Sequence, residues 1–269
     1  MGAPQTARQL ILTHLNVEIA DLVATVTFDR PPVNAVDFSA MEEITDAFRS
    51  LNDRKDVNCA VFTAAGSRAF IAGADLKAGP HPPTNGIPSR MMDPHRLIRD
   101  ALSAIRECQV PVIGAINGPA IGAGLALAGA CDILIAAENA SFGLTEINVG
   151  LLGGAAHLQR LVGTYKMRKM FYSGELEPAQ ELYRLGAVEK VVPLAELLET
   201  ARRLALTIAS KSPLAMRLAK ESANRVEHLP TDEAYRIEQT YTARLLETAD
   251  AKEAVAAYLE KRAPKWTWS

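Results

Sequence analysis

Between Glu107 and Asp132 the chain carries no charged side chain, and this gap narrows the possible folds more than any other feature. The stretch is long enough to span a bilayer. It is broken, however, by Pro111, Asn117 and Pro119, and by Gly114, Gly118, Gly122, Gly124 and Gly129. A buried strand, a sharp turn and a buried helix in succession fit that composition better than a membrane span. A second glycine-broken segment, AFIAGADLK (69–77), lies upstream, and a lone glutamate follows in SFGLTEINVGLLGG (141–154). Each glycine-broken segment ends an expected strand and offers backbone N–H groups where a helix can begin. Two convergent amide donors and one carboxylate suit proton transfer beside a carbonyl. The developing oxyanion needs fixed donors, and the carbon acid needs a base.

The 269 residues suffice for one large domain with a substantial core and an appended subdomain. A net charge of −2 argues against nucleic acid or an anionic membrane as the main partner. MGAPQTARQL lacks an apolar signal core and fits a myristoylation site poorly, so a cytoplasmic protein is expected. Cys59, Cys108 and Cys131 are widely spaced and odd in number, and read as buried thiols of a reducing compartment. His14, His81, His95, His157 and His228 show no ligand spacing, and CxxC and HExxH are absent, so no metal site is expected.

Alternation predicts strands at Leu22–Phe28, Cys59–Ala64, Val110–Ile116, Ile133–Ala136 and Val188–Val192. Helices are expected at Ser39–Asn52, opened by a Ser39–Glu42 capping box, and at Pro94–Arg106, Ala123–Ala130, Leu158–Ser173 and Pro178–Leu185. Residues 78–92 are rich in proline and read equally well as a pocket wall or as a surface excursion. From Leu194 onward the pattern is helical over 194–210, 213–226, 231–247 and 250–261. The class is α/β with an all-helical C-terminal part, divided as 1–195 and 196–269.

The glycines of GAGLALAG (122–129) have the spacing GxGxxxxG, which does not fit the dinucleotide fingerprint. No GKS or GKT makes a P-loop, and no GxSxG makes a nucleophile elbow. Gly73-Ala74 and Gly122-Ala123-Gly124 let a ligand touch backbone, or else allow close strand–helix packing.

In sequence order, DRPPVNAV (29–36), AFIAGADLK (69–77), VPVIGAINGPAIGAGLALAGACDI (110–133), FGLTEINVGLLGG (142–154), LQRLVG (158–163), GAVEKVVP (186–193) and YLEKRAP (258–264) resemble the crotonase superfamily, the enoyl-CoA hydratase/isomerase family, over nearly the whole chain. The resemblance implies a spiral of ββα units, a C-terminal helical region used in trimer packing, and an acyl-CoA thioester substrate. It implies no cofactor, since coenzyme A is part of the substrate, and a homotrimer or dimer of trimers. Carried over by position, the N–H groups of Ala74 and Ala123 would form the oxyanion hole, and Glu146 would be the acid/base. Pro32, Val33, Ala72, Leu76, Lys77 and Gly122 would fall along the CoA and thioester path. Gly154 would fall at a backbone position that helps hold water in hydratases. Tyr258 and Lys261 would fall where a neighbouring subunit's C-terminal helix often reaches CoA.

One departure matters most. Hydratases of the family hold water with two glutamates, and the first would fall at Ala126, which cannot bind or activate water. The resemblance therefore leans to double-bond isomerisation or to hydration by a single carboxylate. Decarboxylation, retro-aldol cleavage or ring chemistry on the same scaffold, and CoA binding without catalysis, are the alternatives. A carboxylate among Phe142, Leu144, Ile147 and Val149 is expected to have a raised pKa. His157 replaces a common glycine, and a packing or capping role is expected of it.

Overall fold

The computed structural model describes residues 8–79, 87, 92–93 and 95–269. His81 and most of the proline-rich segment 78–92, together with Pro94, lie outside the described residues. The strands are β1 (Arg8–Ile11), β2 (Leu15–Ala20), β3 (Val23–Phe28), β4 (Cys59–Ala64), β5 (Val112–Ile116), β6 (Ala120–Ile121), β7 (Ile133–Ala137), β8 (Ser141–Gly143), β9 (Glu177–Pro178) and β10 (Lys190–Val192). The helices are α1 (Phe38–Ser50), α2 (Arg96–Arg106), α3 (Ala123–Ala130), α4 (Ala155–Val162), α5 (Thr164–Ser173), α6 (Ala179–Arg184), α7 (Leu197–Ala209), α8 (Pro213–Val226), α9 (Thr231–Leu246) and α10 (Ala249–Leu259). One sheet has the order β1-β2-β3-β4-β5-β7-β10, antiparallel through β3 and parallel beyond it. A small second sheet has the order β6-β8-β9. This is the α/β crotonase-type architecture, with helices at the C-terminal end.

Both faces of the large sheet are covered, which is why its parallel strands read as unbroken apolar runs. In β4, Ala60, Phe62 and Ala64 face one core cluster and Cys59 and Val61 face the other. The first cluster is sealed by α1, α2 and α3, and its centre is a chain of edge-to-face rings, Phe48–Phe62–Phe70, each pair 5.3 Å apart. The second is sealed by α7, whose Leu197, Ala201, Ala205 and Ala209 form a stripe at four-residue spacing. Helix α3 has no polar face. Seven of its residues, Gly124 through Ala130, are buried, as expected for a helix apolar all round.

The structure corrects several sequence expectations. Helix α1 starts at Phe38, and its cap is Asp37, which accepts from the Ala40 amide at 2.8 Å. Ser39 therefore lies inside the helix, and the Ser39–Glu42 capping box does not open it; two candidate cap residues stand within three positions, and spacing alone does not choose between them. The helix expected at Leu158–Ser173 is two helices that begin at Ala155 and break at Gly163 (φ 73°). The strands before Val23 and all three strands of the small sheet were not expected; two or three residues are too few to show a period. Leu22 lies outside β3 in a positive-φ turn. The short helix expected at Pro178–Leu185 is α6, with Pro178 as its N-cap.

Helix α8 is fastened to the core by one charge. Lys220 Nζ donates to the carbonyls of Ile105 (3.2 Å) and Val110 (3.0 Å) and lies 2.8 Å from Asp132 Oδ2. Its side chain is 5% exposed. A buried charge that loses its partner is strongly destabilising, so Lys220→Met is expected to cost about 3–5 kcal/mol of unfolding free energy in urea denaturation. The three cysteines are free and buried nearby, and burial pushes the Cys59 thiol up to about 12 and the Cys131 thiol well above the ordinary range. They are unreactive thiols.

Candidate active site

The small sheet assembles the site. Ile71 bridges Ala120 in parallel, Ala120 pairs with Phe142, and Ile121 pairs with Gly143. The segments run in one direction and leave the ladder on one side. Ala74, Ala123 and Glu146 each come three residues after a paired residue, namely Ile71, Ala120 and Gly143. Residues remote in sequence thus meet because their preceding segments share one ladder.

The two expected donors differ in backbone setting. Ala123 is the first residue of α3, behind Gly122 (φ 56°, ψ −115°), and its amide lies in the first turn, where no intrahelical acceptor exists. The positive end of α3 adds to its field. Ala74 does not start a helix, contrary to expectation: it sits on an isolated bridge to Val36, and only a 3₁₀ turn follows, at Leu76–Ala78. Its neighbours are tied instead, Gly73 O accepting from Val36 at 2.9 Å and Asp75 N–H donating to Val36 O at 2.8 Å. Among the described residues the amides of Ala74 and Ala123 donate to no backbone carbonyl. The Gly122 amide is spent on Gly143 O (2.9 Å). That of Ala72 is spent on Val33 O (3.2 Å), so only the Ala72 carbonyl is left to meet a ligand.

Glu146 opens a 3₁₀ turn over Glu146–Val149, and its carboxylate lies against the α-carbon of Gly122. A Cβ at Gly122 would come within 3.0 Å of Glu146 Cδ and nearer still to Oε1, so only glycine leaves room for the acid beside the Ala123 amide. Gly153 lies on another side, 3.8 Å from Oε1 as measured from an added Cβ. Oε2 is buried and has no hydrogen-bond partner. Burial pushes the Glu146 pKa above the usual carboxylate range, partly offset by its own backbone N–H. The expected source of that burial is half right: Phe142 and Leu144 are buried, but Ile147 and Val149 are exposed. The Gly122 backbone packs directly against the carboxylate as well.

Ala126 is buried one turn further along α3, its amide on Gly122 O. His157 packs its Cβ at 3.3 Å from where a Cβ of Gly129 would stand, at the far end of α3, which is the packing role expected of it. Gly154 (φ 75°) caps α4 against Leu144. Among the described residues no cluster of His, Cys, Asp and Glu could hold a metal ion, and no helix is long and apolar enough to cross a membrane.

The DRPPVNAV segment turns beside these elements through a cis Pro31–Pro32 bond. Arg30 donates to Asp37 (3.0 Å) and Asp75 (2.9 Å), joining the start of α1 to the residue after Ala74. Asn34, buried in the left-handed region (φ 57°), donates to Ala65 O and Ala69 O and accepts from the Arg30 amide. Sequence reasoning singled out this motif but not the roles of Arg30, Asn34 and Asp75. Asn34→Ala strands two carbonyls and a buried amide, and is expected to cost about 2–4 kcal/mol in chemical denaturation. Pro32 lines a cleft of about 360 Å³. Val33, Leu76 and Lys77 are exposed near it in sequence. Tyr258 is 84% exposed, and Lys261 (φ 54°) lies beyond α10, its amide on Tyr258 O. The hydrogen bonds of both stay at their own helix end.

A family profile described as enoyl-CoA hydratase/isomerase matches residues 18–268. The chain belongs to that family. It is 38% identical over 84% of its length to a (7aS)-7a-methyl-1,5-dioxo-2,3,5,6,7,7a-hexahydro-1H-indene-carboxyl-CoA hydrolase of Rhodococcus jostii, covering 86% of that protein. It is 35% identical over 91% of its length to a crotonyl-CoA hydratase of Syntrophomonas wolfei, covering 95% of it. The crystal structure of an enoyl-CoA hydratase from Bacillus anthracis superposes with a TM-score of 0.84 at 31% identity, over 98% of this chain and all of that one. Membership of this crotonase family makes the chain an enzyme of crotonase type.

Proposed function

We propose that this enoyl-CoA hydratase/isomerase family member acts on an acyl-CoA thioester through an enolate, with Glu146 as its single acid/base. One observation carries the reading. The Glu146 carboxylate, with one oxygen unpartnered, lies on Gly122 beside the free amide of Ala123, while the position one turn along is Ala126. The amides of Ala74 and Ala123 would receive the thioester oxygen as charge builds on it, an interaction worth about 3–4 kcal/mol per donor in comparable sites. Glu146 would take a proton from the carbon next to the thioester and return it two carbons further on, which moves a double bond. The same lone carboxylate could instead activate one water for addition. A second acid to hold that water is missing at Ala126, so isomerisation or single-carboxylate hydration is favoured over the two-glutamate reaction.

The Rhodococcus relative, named a hydrolase of a dioxo-indene-carboxyl-CoA, supports a second reading, hydrolysis of an oxo-substituted acyl-CoA, with the oxo group placed β to the thioester. Glu146 takes a proton from water as the water oxygen bonds the ketone carbon. The bond to the carbon next to the thioester then breaks, and its electrons pass into the enolate held by the two amides. Glu146 returns the proton to that carbon. The products are a carboxylate and a shortened or ring-opened CoA ester.

Mass spectrometry after incubation of 2-enoyl-, 3-enoyl- and 3-oxoacyl-CoA esters in deuterated water separates these reactions. Interconversion of the enoyl esters with deuterium uptake and no added water is the expected result. Gain of one water on the 2-enoyl ester identifies hydration, and conversion of the 3-oxo ester alone into a carboxylate and a shortened CoA ester identifies cleavage. CoA binding with no turnover on any of them would overturn the enzymatic reading.

A further inference from the structure

We propose that the groove between α8, the end of α9 and the loop after α2 is a second ligand site, one that takes a carboxylate with an apolar body. The proposal does not depend on the acyl-CoA reading. The groove holds about 820 Å³, more than twice the cleft at Pro32 and within the range of small-molecule sites. It lies away from the candidate active site. Its wall at Glu107–Gln109 leads into β5, and Ala123 comes after the other end of that strand. Five strand residues alone span roughly 16 Å.

Charge sets the sign of the ligand. Arg106, Arg217, Lys220, Arg225 and Arg244 line the groove against two acids, Glu107 and Glu221, in a chain whose net charge is −2. Three of these cations are spent. Arg106 pairs with Glu227 at 3.2 Å. Lys220 is held by Asp132 and two carbonyls. Arg217 donates to the carbonyls of Arg54 (2.9 Å) and Val57 (3.1 Å), and its guanidinium lies 4.5 Å from the centre of the Trp268 ring. Arg225 and Arg244 are exposed and have no carboxylate partner among the described residues. Arg244 is placed by the Tyr241 ring, 5.4 Å from its centroid. Two uncommitted guanidiniums suit the oxygens of an anion.

The rest of the lining sets its kind. Leu214 and Leu218 are half-buried and Cys108 is buried, which gives the groove an apolar floor. The acids limit the charge it accepts. Glu221 accepts from the Tyr241 hydroxyl at 2.9 Å, and Glu107 is exposed. A dianion such as phosphate would meet twice the repulsion from them that a monoanion meets. A single carboxylate drawn to Arg225 and Arg244, with its hydrocarbon laid on Leu214 and Leu218, meets both demands.

Octanoate is the probe, with acetate and octan-1-ol as controls for the charge and the chain taken alone. In calorimetry octanoate is expected to bind at least about tenfold more tightly than either control, since it alone offers both a charge-assisted contact and an apolar body. The two tryptophans of the chain report the place: Trp268 lies on Arg217, a lining residue, so intrinsic fluorescence should change with the same saturation. Arg225→Ala and Arg244→Ala should each weaken octanoate about tenfold, Arg244→Lys less, and Glu107→Gln should strengthen it about twofold. Arg244→Ala should leave turnover of acyl-CoA esters unchanged, because Glu146 lies beyond the other end of β5. Absence of octanoate binding, octanol bound as tightly as octanoate, or an affinity that neither arginine variant alters would each overturn the site, and none of these results bears on the role of Glu146.

Discussion

Glu146→Gln is expected to lower turnover about 10²–10⁴-fold while making the folded protein more stable near neutral pH. In the proposed mechanism Glu146 is the single acid/base, and its loss accounts for the rate. The stability gain follows from the burial of the carboxylate. Its folded-state pKa lies above the unfolded value because burial penalises the charged form. Below the unfolded pKa both forms are neutral and the variant gains nothing. As pH rises through the folded pKa, wild type must hold a charge against Gly122 with Oε2 unpartnered, and glutamine avoids that penalty. The Tm difference should therefore grow from near zero in acid to a positive value at neutral pH, as read by thermal denaturation across a pH series. The wild-type rate should fall with acid through the same raised pKa, because only the carboxylate form is a base. A Gln variant that keeps full activity on the true substrate would remove Glu146 from the mechanism.

Gly124→Ala is expected to lower stability and turnover together. A Cβ there would stand 2.8 Å from Ile71 Cβ and 2.9 Å from its carbonyl carbon, and closer still to the carbonyl oxygen. The obstacle is mostly backbone, which a rotamer change does not clear. Overpacking of this kind costs about 3 kcal/mol or more. Ile71 is also the bridge residue that sets Ala74 beside Ala123, so turnover should fall together with stability. Gly153→Ala is the control. Its Cβ would meet Glu146 Oε1 at an ordinary 3.8 Å, and its Tm should stay within about 0.5 kcal/mol equivalent of wild type. Equal Tm values for Gly124→Ala and Gly153→Ala in scanning calorimetry would contradict this account.

Much of the site was legible from residue types. Gly122 and Gly124 stood out because they interrupt an apolar run, and both prove indispensable at contact distance. Glu146 stood out as an acid in apolar company, although Ile147 and Val149 turned out to face outward. The cap at Asp37 was not legible, because Asp37 and Ser39 are both good caps and only the path of the chain into α1 selects one. Arg30, Asn34 and Asp75 carried no local pattern; their partners lie in other segments.

By itself, the sequence determined the parallel core strands as apolar runs, the almost wholly buried α3, the points where the backbone must be glycine, and the lone carboxylate opposite an alanine. These are demands of burial and dihedral angle, which each residue states locally. Only the tertiary structure decided that Ile71, Ala120 and Phe142 share one ladder, and so that Ala74, Ala123 and Glu146 leave it together. Strands of two and three residues are too short to show a period, and their pairing is set by where the large sheet and its helices deliver them.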